Sequence, residues 1–419
     1  VAKKKKKKEE EGPAPLFLPP FTVMTKPVCG VCNLDCGYCY YTPKTELYPG
    51  VKRFQMTPEA LEEFLRQYLQ ARPREAVISW QGGEPLLAGL DFFRLARDLV
   101  EKYRLPGQRV EWSIQTNGTL LDEDWCSFFA ENRYLVGISI DGPPEVHDHF
   151  RKDHAGNGSF EKAWRGLELL RKHGVDFNAL VTLNSNNVKL GADLYRFFVE
   201  KGVEWIQFIP ILEKDESGRP LPFSCPPVEF GKFLSEVFDT WVLNDVGRVS
   251  VRIFESIVSL LVQRVPTVCV YSRRCANAYV LEWNGDLYAC DHFVVPEWRL
   301  GNVLETPLVE LVTSQKVEEF ARLKTELPEP CGECPYLPIC NGGCPKHHLP
   351  GGEGGKVNYF CEGYRLFFEH SLPSFRRIAR DIAARNGIFY DDPWGEEVED
   401  PGLEFLEPPS REGGEERTS

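Results

Sequence analysis

Along residues 21–210, short apolar runs rich in β-branched and aromatic residues alternate with stretches whose apolar positions recur at helical spacing. Six runs read as strands: FTVMTK (21–26), EAVISW (75–80), VEWSIQT (110–116), LVGISI (135–140), VDFNALVTL (175–183) and EWIQFIP (204–210). The stretches 58–72, 91–104, 122–132, 159–173 and 189–201 read as helices. Thr57 and Pro58 fit the N-cap and first turn of the first helix, and Asp122 fits the cap of the third. This alternation predicts an α/β fold: a parallel sheet with right-handed crossovers, six units forming a partial, TIM-like (β/α)6 barrel.

Polar, glycine-rich segments follow the strands: QGGEP after the second, TNG after the third, DGPP after the fourth. In parallel sheets and barrels the carboxyl ends of strands carry the active site. A cysteine loop, VCNLDCGYCYY (31–41), follows the first strand and joins the same rim. Beyond residue 225 the pattern changes. CPPVEFGKFLSEVFDTWVLNDV reads as a helix opened by prolines, 253–263 as another, and AYVLEWNGDLYACDHF as a hairpin turning at Asn284-Gly285. Residues 325–361 are rich in Cys, Pro and Gly, so they bury little apolar surface and are expected to need metal to hold them.

The chain of 419 residues is long enough for two or three domains. No window carries the roughly 18 uncharged apolar residues of a membrane span. The basic N-terminal run has no apolar stretch behind it, against a signal peptide. The net charge of −13 is uneven: residues 391–419 hold eleven acids and two basic residues and read as a solvated, disordered end. Nothing resembles the basic surface of a nucleic-acid binder.

Twelve of the fourteen cysteines cluster at 29/32/36/39, 269/275/290 and 331/334/340/344/361, which favours metal binding over disulfides. Cys32, Cys36 and Cys39, spaced C-x3-C-x2-C, are one thiolate short of a closed zinc site or a fully ligated iron–sulfur cube. Something else is expected to bind at the open position. Cys269, Cys275, Cys290, Cys331, Cys334, Cys340, Cys344 and Cys361 suffice for two full [4Fe–4S] clusters. Two zinc sites would use them equally well, and spacing does not choose. Cys29, Cys126 and Cys225 fall outside these sets, and Cys126, on a helix, reads as core.

The C-x3-C-x2-C loop, with Tyr38 before its last Cys, resembles the cluster loop of radical S-adenosylmethionine enzymes. Three thiolates there hold a [4Fe–4S] cluster whose fourth iron takes the cofactor's amine and carboxylate. By this resemblance Gly82, Gly83 and Glu84 of GGEP receive the amino group, while Ser139 and Arg151 bind the carboxylate. The later cysteines, with Gly285 five residues before Cys290, resemble a SPASM auxiliary-cluster domain. That implies Cys269, Cys275, Cys290 and Cys344 on one cluster and Cys331, Cys334, Cys340 and Cys361 on the other. The motifs KPVCGVCNLDCGYCYY, QTNGTLL, LVGISIDGP, NGDLYACDHFV and CNGGCPK together resemble the anaerobic sulfatase-maturating enzymes, over about residues 21–370.

The resemblance implies three [4Fe–4S] clusters, S-adenosyl-L-methionine, and oxygen-independent oxidation of a Cys or Ser side chain to Cα-formylglycine. A 5′-deoxyadenosyl radical would take hydrogen from the substrate Cβ. Asp291 would act as base, its pKa raised by burial beside a negative cluster, and Gln81 and Tyr41 would line the substrate side. Expected partners are a sulfatase with a Cys/Ser-x-Pro-x-Arg motif and a flavodoxin or ferredoxin, with no nucleic acid and no membrane. The protein is expected to be a cytoplasmic monomer. Alternatives are another SPASM peptide maturase forming thioether or other crosslinks, or a colourless zinc-stabilised binding module without catalysis. The expected division is a tail (1–20), barrel (21–245), SPASM domain (246–370), C-terminal helix (371–390) and acidic tail (391–419).

Overall fold

The computed structural model describes residues 18, 20–275, 277–350 and 356–394. Six parallel strands run in spatial order β1 (Thr22–Lys26), β2 (Glu75–Trp80), β3 (Arg109–Thr116), β4 (Tyr134–Ser139), β5 (Asp176–Leu183) and β6 (Trp205–Pro210). Each bound lies within one residue of the expected one. The helices between them are Pro58–Ala71, Leu90–Tyr103, Glu123–Glu131, Phe160–Lys172 and Gly191–Glu200. Their caps are built as read: Thr57 Oγ1 accepts from Ala60 N and Asp122 Oδ1 from Trp125 N. A further short helix, Pro144–Phe150, follows β4.

The sheet does not close. Beyond β6 lies the two-residue β7 (Ser250–Val251), and beyond β1 come β8 (Ala278–Glu282), β9 (Asp286–Tyr288) and β10 (Arg299–Asn302). β8 runs parallel to β1, with Glu282 opposite Lys26, and turns back into β9 through Gly285 at φ +88°. The Cys290 segment, which follows β9, is thereby carried to the barrel rim. Between sheet and helices the core is aromatic: Trp80 packs edge-on to Phe93, and Phe93 to Trp125, with centroids 5.4 and 5.2 Å apart. Each such buried side chain contributes about 1.5–3 kcal/mol. Cys126 and Cys225 belong to this core.

Two expected boundaries shift. The C-terminal helix is Cys361–Arg385, starting ten residues before the expected 371. Tyr364, Phe367 and Phe368 form a buried stripe along its first turns, and they pack on the helices Pro227–Asn244 and Arg252–Gln263 through Phe230 and Phe254. A Cβ on Gly363 would lie 2.0 Å from the Pro227 carbonyl oxygen, so these helices meet backbone to backbone. The expected cut at 245/246 therefore does not separate independent cores. Residues 391–394 are also folded, through Arg376–Asp392 at 2.7 Å and Trp394 Nε1 donating to the Pro335 carbonyl at 2.9 Å. The tails 1–17 and 395–419 lie outside the described residues.

Candidate active site

The cluster loop leaves β1 at Lys26 and is laced to two neighbouring segments. Asp35 N and Gly37 N donate to the Lys152 and Phe150 carbonyls, and Gly83 N and Glu84 N donate to those of Cys29 and Val31. This second contact explains GGEP. A Cβ on Gly83 would sit 2.0 Å from the Val31 oxygen, and Gly82 adopts φ +139° against the Cys29 carbonyl. The glycines admit the cluster loop's backbone, a use that sequence reasoning did not foresee. Glu84 likewise has internal partners. Fully buried, it accepts from Leu86 N (3.0 Å), Thr116 Oγ1 (2.9 Å) and Asn117 N (2.8 Å), tying β2 to β3. Burial pushes its carboxyl up to about 7. An incoming ammonium would have to compete with three internal donors for it.

Two of the three cluster-loop thiols face hydrogen-bond donors. Cys32 Sγ faces Leu34 N at 3.4 Å and Asn117 Nδ2 at 3.6 Å, and Cys39 Sγ faces Thr42 Oγ1 at 3.2 Å and Thr42 N at 3.5 Å. Donors aimed at sulfur favour thiolate. Burial opposes it, lifting Cys32 to about 11 and Cys36 to about 12, although Arg151 pulls Cys36 down. Bound iron would supply the positive charge that buried thiolates need. Arg151 is itself engaged: its Nε lies 3.0 Å from Asp141 Oδ2, its guanidinium stacks 5.6 Å from the Tyr38 ring, and Tyr38 donates to Asp141. Ser139 ends β4, buried, two residues before Asp141.

The eight remaining thiols separate into two electrostatic neighbourhoods. Cys269 and Cys344 raise the pKa of Cys275 and Cys290, after burial. Cys331, Cys334 and Cys361 do the same to Cys340. These couplings run within the two sets that the resemblance implied, and none of the fourteen cysteines is in a disulfide. The donor chemistry fits two fully thiolate-ligated clusters.

Between the cluster loop and Cys290 lies a buried polar hub centred on Lys26, which sequence reasoning missed. Its ammonium, 1% exposed, pairs with Asp291 Oδ1 at 2.6 Å, donates to Gln81 Oε1 at 2.7 Å and lies 4.2 Å from the Tyr41 ring centroid. All three residues expected near the substrate thus touch one cation. Two expectations change. Burial raises the Asp291 carboxyl as anticipated, but Lys26, His292 and Tyr40 together outweigh it and hold the group at about 2. Tyr41 points inward, donating to Glu282 Oε1, and is 3% exposed; its neighbour Tyr40 is the tyrosine that donates to Asp291.

Comparisons with known proteins agree with this geometry. The Radical SAM superfamily model matches residues 27–197, and an iron–sulfur cluster-binding domain, SPASM, matches 269–335. A serine-type anaerobic sulfatase-maturating enzyme of Bacteroides thetaiotaomicron is 42% identical over 386 residues, covering 87% of this chain and 93% of the relative. This chain belongs to the anaerobic sulfatase-maturating enzymes. A cysteine-type member from Clostridium perfringens is 35% identical over 371 residues, covering 87% of this chain and all of the relative. The solved structure of native anSMEcpe with bound AdoMet and Cp18Cys peptide superposes with a TM-score of 0.80 at 34% identity, over 87% of this chain and 100% of the other. Streptococcus suis SuiB, at 16% identity and a TM-score of 0.56, shares the fold. As a family member the chain is a radical S-adenosylmethionine enzyme with iron–sulfur centres. Among the described residues no helix is long and apolar enough to cross a membrane.

Proposed function

We propose that this chain oxidises a Cys or Ser side chain of a sulfatase to Cα-formylglycine, with Asp291 as the proton acceptor. Cys32, Cys36 and Cys39 would hold the cluster that engages S-adenosylmethionine. Cys269, Cys275, Cys290 and Cys344 would hold one auxiliary cluster, and Cys331, Cys334, Cys340 and Cys361 the other, three in all. Bound together, these groups supply one-electron chemistry and an acceptor for a hydrogen atom. Ser139 at the end of β4, Arg151 just past the short helix Pro144–Phe150, and the backbone of Gly82 and Gly83 would orient the cofactor's amino-acid end. Asp141 holds the guanidinium in place for this.

The remaining chemistry falls to the hub. Turning a thiol into a thioaldehyde removes one hydrogen atom from Cβ, one proton from sulfur and one further electron; water then replaces sulfur and hydrogen sulfide leaves. The proton needs a base beside the substrate, and Asp291 is a fixed carboxylate at the junction of cluster loop and auxiliary segment. Lys26 keeps it ionised and, with Tyr40, fixes its two oxygens. Basicity is sacrificed for placement. The Lys26–Asp291 pair between the cluster loop and the Cys290 segment is the observation that carries this reading. Flavodoxin or ferredoxin would donate electrons to a monomer in the cytoplasm.

The test is anaerobic reaction of the reconstituted protein with S-adenosylmethionine, a reductant and a Cys-x-Pro-x-Arg peptide. Mass spectrometry should show an aldehyde at the Cys position. A crosslinked peptide instead would assign the chain to thioether-type maturation.

A further inference from the structure

Beside the hub, where the barrel rim meets the Cys-rich segment, lies a cavity of about 310 Å³ lined by Tyr40, Lys44, His292, Lys214, Lys346 and Lys356, among others. Four lysines meet there in a chain of net charge −13, and Glu213 is the carboxylate among its lining residues. That carboxylate is taken by Lys346. Lys214 donates to the His348 carbonyl at 3.2 Å, and among the described residues neither it nor Lys44 has a carboxylate partner within ion-pair distance. Burial, then repulsion from Lys346, lowers the pKa of both Lys44 and Lys214. An anion in the cavity would relieve that repulsion.

The cavity is one side chain from the reaction centre. Lys346 lies 4.5 Å from the Tyr40 ring centroid, and the hydroxyl of the same tyrosine donates to Asp291. His292, the next residue after Asp291, forms another wall, 5.4 Å from the Tyr40 ring. A volume of this size admits a side chain, whereas the surface of a folded electron carrier would require a broad face.

We infer that the lysine-lined cavity is a subsite for an acidic side chain of the substrate polypeptide, close in sequence to the residue being oxidised. This rests on the proposed function and adds a charge preference to it. It predicts that substrate recognition extends beyond the Cys-x-Pro-x-Arg core to a flanking Asp or Glu.

The test uses the reconstituted enzyme, dithionite as reductant, and core peptides in which a single Glu is moved through the flanking positions, each with a Gln counterpart. In the parent, one or two positions should give a Glu/Gln ratio in kcat/KM of about tenfold, carried by KM and shrinking with added salt. Lys44→Glu and Lys214→Glu should abolish or invert that ratio, with iron content and S-adenosylmethionine cleavage verifying that the variants are intact. A parent enzyme that converts Glu and Gln peptides equally at every position overturns the inference alone. A parent that converts no peptide overturns the proposed function. Variants that keep the Glu preference but slow only when an acidic protein carrier replaces dithionite would assign the lysines to the carrier, which also overturns it.

Discussion

Lys26 shows most directly how a side chain's role depends on partners distant in sequence. In the sequence it is one polar residue ending a strand. In the structure it meets Gln81, 55 residues on, and Asp291 at the end of a hairpin beside its own strand. No local spacing reveals that. The Asp291 position was legible through its neighbour Cys290, but its electrostatics were not, because the compensating charge lies on another element. Asp291→Asn should retain iron and S-adenosylmethionine cleavage yet lower formylglycine formation by ~10²–10⁴-fold, measured by product mass spectrometry. Formation near the parent rate would move the base elsewhere. Lys26→Met leaves a buried carboxylate without its partner, which costs about 3–5 kcal/mol. The double variant Lys26→Met/Asp291→Asn should recover part of that loss, a coupling that denaturant titrations of the four proteins can read. The paired tyrosines separate by the same logic. Tyr40→Phe removes a donor to Asp291 and should slow product formation more than Tyr41→Phe, whose hydroxyl serves Glu282. Equal effects would contradict this division.

At the scale of elements the sequence was far more informative, because each β/α unit carries its own period, cap and turn. Strand bounds within one residue follow from that local redundancy. The long helix was misplaced where two signals compete: CEGYRLFFEH sits in a Cys- and Gly-rich context but has an apolar stripe of helical spacing. GGEP was located correctly, but its contact with the cluster loop was not foreseen, since a glycine that admits backbone looks the same in sequence as one that admits a ligand. The distinction is testable. Gly83→Ala would drive a methyl into the Val31 carbonyl and push the cluster loop from β2. It should lower iron retained by the Cys32, Cys36 and Cys39 site, read by iron analysis and by the electron paramagnetic resonance of the reduced cluster. A variant with full iron and altered affinity for S-adenosylmethionine alone would favour the ligand-approach explanation instead.

On the scale of the whole molecule, the open edge of the barrel is what makes one enzyme from two cysteine regions. A closed eight-strand barrel would leave β1 no free edge. Here β8 adds beside β1, so the Cys290 segment is delivered to the rim where Cys32, Cys36 and Cys39 sit. The Cys331, Cys334, Cys340 and Cys361 set is tied differently. Cys361 begins the long helix, so a cluster on that set would staple short Cys-rich turns to the stripe formed by Tyr364, Phe367 and Phe368. The two auxiliary sets should therefore fail in different ways. Full reconstitution should give about twelve irons per chain, and the triple Cys32/Cys36/Cys39→Ala variant about eight, with all cofactor cleavage lost. Replacing Cys331, Cys334, Cys340 and Cys361 by Ala should also leave about eight irons, but with cofactor cleavage retained and the C-terminal helix more exposed to proteolysis. Replacing Cys269, Cys275, Cys290 and Cys344 frees the segment that presents Asp291. That variant should cleave S-adenosylmethionine without coupling it to peptide oxidation, while the helix stays protected. Identical proteolysis in the two auxiliary variants would mean that neither set anchors the helix, and that its packing on Pro227–Asn244 and Arg252–Gln263 holds it alone.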